Sequence, residues 1–233
     1  YSAQASNEFD IGIFHQGDYH RAFEQKLESE RVSKVLYPPD STSAGKDLRL
    51  LQEYFFLACA LRDIVARYLV TRRSFDSFAD KVAIQPNDTH PALAVAELVR
   101  LFVDDHGVPF EKAFEQAQRC FAFTNHTLLP EALERWPKPL LARVAPRHLQ
   151  IIELINAHFL AEVEVRWPGD IERLRRVSIF EEGHPQQVRM AHLAIVGSHA
   201  VNGVSKLHSE LVKTELVPDF AELWPGRFQN KTK

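Results

Sequence analysis

An α/β fold is predicted by two junctions of the same design and by several helix-periodic segments around them. Phe121, Ala122 and Phe123 read as a short buried strand. The chain then passes through Thr124-Asn125-His126-Thr127 to Pro130, which with Glu131 and Glu134 reads as a helix start, because proline fits a first turn and acidic groups favour the positive end of the helix dipole. The earlier run VAIQPNDTHPAL repeats the pattern, with Asn87, Asp88, Thr89 and His90 after an apolar strand and Pro91 opening a helix. In open α/β sheets ligands bind at the carboxyl ends of strands, so these polar clusters are candidate sites. The competing reading is that Asn, Asp and Thr cap the following helices while His satisfies backbone groups.

The remaining elements follow in order. Asp18 is placed to cap a helix through about Val32, with Tyr19, Phe23 and Leu27 on one narrow stripe that suits a lid, a subunit contact or an ordinary surface helix. The two prolines and the Asp, Ser and Thr cluster of residues 34–44 predict an irregular loop. Residues 45–70 return to helical character, and the apolar run from Leu50 to Leu61 predicts a buried central helix. Helices are also predicted over residues 91–106 and 111–119, over 146–167 from the face carrying Leu149, Ile152, Leu154, Ile155, Phe159 and Val163, and over 171–176. Residues 188–204 fit either strand or helix and contain a third polar break at Gly197, Ser198, His199, Asn202 and Gly203. A helix over 205–213 and a terminal loop complete the expectation.

Composition narrows the function. The 233 residues are 45% hydrophobic and 25% charged with net charge −3, which is ordinary for a globular protein and shows no basic stripe for nucleic acid. Cys59 and Cys120 lie in apolar runs and read as reduced, buried thiols of a cytoplasmic protein. No segment approaches the roughly 20 apolar residues of a membrane span. The start Tyr-Ser-Ala-Gln and a single methionine, Met190, read as a piece of a longer protein.

Eleven histidines raise a metal site, and Asp88 and His90 would face one side of an extended segment, but zinc-type spacings are missing and no metal is expected. Asp88 with Glu131 or Glu134 is a candidate carboxyl pair for glycoside hydrolysis. Amide, carboxylate and imidazole groups at strand ends also suit a polyhydroxylated sugar, whose buried hydroxyls each need a partner.

The motifs VLYPPDSTSAGKDLRLLQEYFF, VAIQPNDTHPALAVAEL, FTNHTLLPEALERWP, LLARVAPRHLQIIELIN, PGDIERLRRVS, MAHLAIVGSHAVNGVSKLHSE and FQNKT, in this order and covering essentially the whole chain, resemble the glycogen, starch and maltodextrin phosphorylases. The resemblance implies a helix-rich, incomplete part of the Rossmann-like N-terminal domain of a two-domain GT-B-type glycosyltransferase. It implies transfer of a glucosyl unit from α-1,4-glucan to phosphate, giving glucose 1-phosphate. The cofactor implied is pyridoxal 5'-phosphate, held by a C-terminal domain outside the resemblance, so the isolated chain is expected to be inactive and to hold no complete catalytic set. The rival expectation is a non-catalytic glucan-binding or regulatory module.

Carried over motif by motif, His126 matches the histidine whose backbone carbonyl meets the sugar's 6-hydroxyl, with Asn125 beside it. Asp88 and His90 match the pocket wall near the anomeric centre, and Glu134 the helix flanking it. Asp40 and Ser41 match the loop that gates entry, although relatives often carry asparagine at Ser41, and the 18–32 helix matches the tower helix of a homodimer. Lys233 stands where the family has an asparagine. Ala66 replaces the first of two arginines of nucleotide-activated relatives and only Arg67 remains, so no nucleotide activation is expected. Glu182 is kept at a secondary glucan site, but Gln186 replaces a lysine found in some relatives, so tight binding there is not expected.

Overall fold

Asp10 accepts the Ile13 N–H at 3.0 Å and starts the first helix of the computed structural model, α1 (Ile11–His15), within the described residues 3–5 and 8–232. The chain divides into two compact units, Tyr1–Cys59 and Ala60–Lys233. In the first, Asp18 does act as a cap: its Oδ1 accepts the Arg21 N–H at 3.1 Å and opens a 3-10 turn, Arg21–Phe23, that continues as α2 (Glu24–Lys34). The Tyr19, Phe23 and Leu27 stripe faces solvent in this chain, at 60%, 40% and 58% exposure.

The loop after α2 is held by one buried amide. Gln52, on α3 (Ser43–Thr71), donates through Nε2 to the carbonyls of Val32 (2.7 Å) and Val35 (2.9 Å) and accepts the Tyr37 N–H at 2.9 Å. A buried amide with every group satisfied costs little and fixes one loop path. Gly45 is required at the start of α3, since a Cβ there would fall 1.9 Å from the Pro39 carbonyl oxygen.

The prediction that residues 50–61 form a buried central helix is corrected. Leu50 and Leu61 are buried, but Phe56 is exposed and Tyr54, Phe55, Leu57, Ala58 and Cys59 are half-buried. A helix that is buried nearly all round is α4 (Ala94–Arg100), in the second unit, where every residue from Ala94 to Val99 is buried. It packs on α5 (Phe110–Cys120) and, later in the chain, on α7 (Pro146–Arg166). Its small residues permit that surround, and a Cβ on Gly197 would meet Val95 at 2.5 Å.

After β1 (Ala122–Thr124) the predicted helix from Pro130 is one 3-10 turn, Pro130–Ala132, and the chain enters β2 (Arg135–Pro137). A helix continuing from Pro130 would have placed Pro137 and Pro139 in its interior, where each removes a hydrogen bond and clashes with the preceding turn. The chain continues through α6 (Lys138–Val144), α7 (Pro146–Arg166), α8 (Ile171–Val177), β3 (Phe180–Glu181), β4 (Gln187–Arg189) and α9 (Met190–Val196). It ends with β5 (Ala200–Gly203), α10 (Lys206–Leu211), α11 (Pro218–Leu223) and β6 (Phe228–Asn230), so the expected terminal loop carries a helix and a strand. The ambiguous 188–204 stretch is strand, helix and strand in turn.

Two sheets result. The antiparallel one has order β2-β4-β3. The parallel one has order β1-β5-β6 and is extended beyond β1 by parallel bridges from Ile84 to Phe121 and from Asn87 to Thr124. A parallel sheet among helices bears out the α/β expectation at the level of class.

Candidate functional site at the parallel sheet edge

Across the parallel sheet the pairing rows change character in one step. Phe123, Val201 and Phe228 form an apolar row, and the next row toward the carboxyl edge is Asn87, Thr124, Asn202 and Gln229. Above it the ladder runs on into the loops: Asp88 N–H donates to the Thr124 carbonyl and Asn125 N–H to the Asn202 carbonyl, both at 2.9 Å. Two expected site residues are thereby pinned by their backbones to the same row.

Their side chains are held locally. Asp88 has φ of +74°, so it sits in a left-handed turn and not in the extended segment expected for it. Its Oδ1 accepts from Thr89 N–H at 2.6 Å and from the Thr89 hydroxyl at 3.2 Å, an arrangement aspartate supports better than most residues in this region of backbone space. Asn125 is 2% exposed and donates to the Thr127 carbonyl at 2.6 Å. Its Oδ1 is buried without a hydrogen-bond partner in this chain, an acceptor that a bound hydroxyl group or water would satisfy. The His126 ring pairs through Nε2 with Asn87 Oδ1 across the two junctions.

The structure thus brings Asp88, Asn125 and His126 to one edge, and adds Asn87, Thr124 and Asn202, which were not singled out as ligands. Asn87 and Asn202 were visible only as members of polar breaks. His90 is half-buried in the turn that leads into α4. Glu134 lies on no helix: its carbonyl accepts the Met190 N–H at 3.1 Å, and the residue lines a recess of about 200 Å³ with Arg135, Arg176, Arg189 and His192. There, burial and the charge of Arg189 push the His192 imidazole down to about 4, so the ring is neutral and its Nδ1–H faces the carbonyls of Val177 (3.1 Å) and Ser178 (3.0 Å). Glu131 is exposed on the 3-10 turn. Asp40 and Ser41 belong to the first unit, both exposed, with Asp40 Oδ2 3.5 Å from Arg49 Nη1. Lys233 lies outside the described residues, among which no group of three or more His, Cys, Asp or Glu is placed to hold a metal ion.

β5 reaches this edge at Gly203, and a side chain is excluded there. A Cβ would lie 2.6 Å from His208 Nδ1, which accepts the Val204 N–H at 3.1 Å, and 2.8 Å from the Ser209 backbone. Gly203→Ala is expected to cost about 1–3 kcal/mol, as overpacking of a dense site does, and a melting midpoint equal to the parent's would show that β5 shifts freely.

A family model described as carbohydrate phosphorylase matches residues 1–233. The chain belongs to the carbohydrate phosphorylase family. Among curated phosphorylases it is 51% identical to the liver form of glycogen phosphorylase from Bos taurus, 50% to the muscle form from Homo sapiens and 49% to glycogen phosphorylase from Synechocystis. Each comparison covers the whole of this phosphorylase chain but only 28%, 28% and 27% of the respective relative. The chain spans between a quarter and a third of the length of these relatives. Among its described residues no helix is long and apolar enough to cross a membrane.

Proposed function

We propose that this chain forms the sugar side of the active cleft in an α-glucan phosphorylase that moves a terminal glucosyl unit from α-1,4-glucan to phosphate and releases glucose 1-phosphate. The observation that carries it is the polar row at the parallel sheet edge in a chain whose whole length matches the carbohydrate phosphorylases. In this reading the chain is the later part of a Rossmann-like N-terminal domain in a two-domain GT-B-type enzyme. Asp88, Asn125 and His126 meet the glucosyl unit at this edge, with His90 and Glu134 on the flanking segments, and Asp40 and Ser41 in the entry loop.

The donor set of the edge decides what can be held there. Asn87 and Asn125 are amides, His126 an imidazole and Asp88 a carboxylate, set above the Thr124 and Asn202 row, with no cation in the hydrogen-bonded cluster. That set fits sugar hydroxyls and does not fit the phosphate of pyridoxal 5'-phosphate, which in this proposal is held by a C-terminal domain. The cofactor supplies the proton-transfer chemistry, and this chain's residues bind and orient the sugar. The exposed Tyr19, Phe23 and Leu27 stripe supports the homodimer reading of the 18–32 helix; a cytoplasmic setting and, from Ala66 beside Arg67, no nucleotide activation belong to the same proposal.

The test is glucose 1-phosphate release from maltoheptaose and inorganic phosphate by the full-length protein; no release would overturn the proposal. His126→Ala is expected to lower kcat/KM by less than Asp88→Ala does, on the order of tenfold or below, because its sugar contact runs through the backbone carbonyl while the ring serves Asn87. A His126 variant more impaired than the Asp88 variant would assign the ring, not the carbonyl, to the sugar.

A further inference from the structure

The side chain of Asn202, in the third polar break of the sequence, has no role in the sugar contacts proposed above, yet it lies at the centre of the polar row. Asn202 is 9% exposed on β5, between β1 and β6. Its Oδ1 accepts from the Thr124 hydroxyl at 2.9 Å and from Gln85 Nε2 at 3.5 Å, and its Nδ2 donates to the Gly203 carbonyl at 3.1 Å. Gln85 Nε2 also reaches Thr124 Oγ1 at 2.7 Å, so three neighbouring chains of the sheet share one side-chain network. A buried amide in a strand is costly unless satisfied, and an apolar side chain would serve packing alone at least as well.

What the network adds is a fixed position for the two backbones directly above it. Thr124, held by its hydroxyl to Asn202, carries the carbonyl that receives Asp88 N–H, and Asn202 itself carries the carbonyl that receives Asn125 N–H. We propose that Asn202 is a positioning residue of the sugar site, setting the placement of Asp88 and Asn125 through Thr124 and its own carbonyl without touching the substrate. The proposal rests on the sugar-site reading. A displacement of about 1 Å at a binding group is enough to cost on the order of a hundredfold in rate.

A double-mutant cycle in the full-length enzyme tests it, reading kcat/KM for maltodextrin phosphorolysis together with the thermal midpoint. Asn202→Ala is expected to lower kcat/KM by about tenfold or more, and Asn202→Ala with Asp88→Ala to lose clearly less than the product of the two single losses, since the part of its effect that runs through Asp88 is gone once Asp88 is removed and only the part through Asn125 remains. A residue important only for packing would give losses that multiply. Thr124→Val, which keeps shape and deletes the hydroxyl, should reproduce the loss, and Thr124→Ser should restore it; this pair serves if Asn202→Ala does not fold. Normal kcat/KM in Asn202→Ala and Thr124→Val, or multiplicative losses in the cycle, would overturn the proposal while leaving the sugar site intact. Normal kcat/KM in Asp88→Ala alone would instead remove the sugar-site reading.

Discussion

Glu97→Ala is expected to lower the unfolding free energy by about 3–5 kcal/mol, the cost of removing one member of a buried ion pair. Glu97 and His148 are each 2% exposed, and Glu97 Oε2 lies 2.6 Å from His148 Nε2. Arg100 donates to the same carboxylate through Nε at 2.8 Å and Nη2 at 3.0 Å, while its Nη1 reaches Asp105 at 3.0 Å. Truncation at Glu97 therefore strands a buried imidazole and half of a guanidinium inside the α4–α7 contact. The change should appear as a lower urea midpoint with an unchanged m-value. A midpoint equal to the parent's would show that water reaches the pair.

The same site sets a pH dependence. Burial by itself would raise the Glu97 carboxyl, but the hydrogen bonds from His148 and Arg100 outweigh it and hold the group below the usual carboxylate range. A carboxyl whose folded-state pKa is depressed contributes stability that is present above its unfolded pKa and disappears as pH falls through the folded one. The gap between parent and Glu97→Ala should therefore be full near neutrality and close in acid.

Asp88→Ala should lower kcat/KM of the full-length enzyme by about 10- to 100-fold, the loss expected for a charge-assisted hydrogen bond to substrate, worth about 1.5–3 kcal/mol. Part of the loss is geometric. The φ of +74° is tolerated by Asp and Asn, whose side chains bond the following backbone as Asp88 Oδ1 does with Thr89 N–H, and alanine gives no such support. Asp88→Asn keeps that bond and removes the charge, so comparing the two variants separates turn geometry from electrostatics. A fully active, normally folded Asp88→Ala enzyme would place the residue outside the sugar contacts.

Much of the helical framework was legible because its signals are local. The prediction for residues 146–167 matches α7 within a residue, since Pro146 marks the start and Leu149, Ile152, Ile155, Phe159 and Val163 mark the buried face, while Leu154, expected on that face, is exposed. The short β2, β3 and β4 carry no readable period, and the weight of Pro137 and Pro139 against a helix after Pro130 was missed. The Leu50–Leu61 run shows why an apolar segment is weak ground for predicting burial: composition states what a helix can bury and says nothing of what lies against it. At the candidate site, Asp88, Asn125 and His126 were visible because each lies where an apolar strand turns polar. The pairing of Thr124 with Asn202 was not, because nothing local joins two residues 78 positions apart.

That separation also bears on the order in which the protein becomes structured. The side-chain links of the polar row span 39, 78 and 117 residues, whereas a helix such as α7 closes its bonds over four. Loop-closure entropy must be met before such distant contacts return any stability, and parallel pairing is slow for that reason. The helices can be in place while the strand ends are still apart, which makes the candidate sugar edge a late product of folding, completed only when residues 85, 124 and 202 have met.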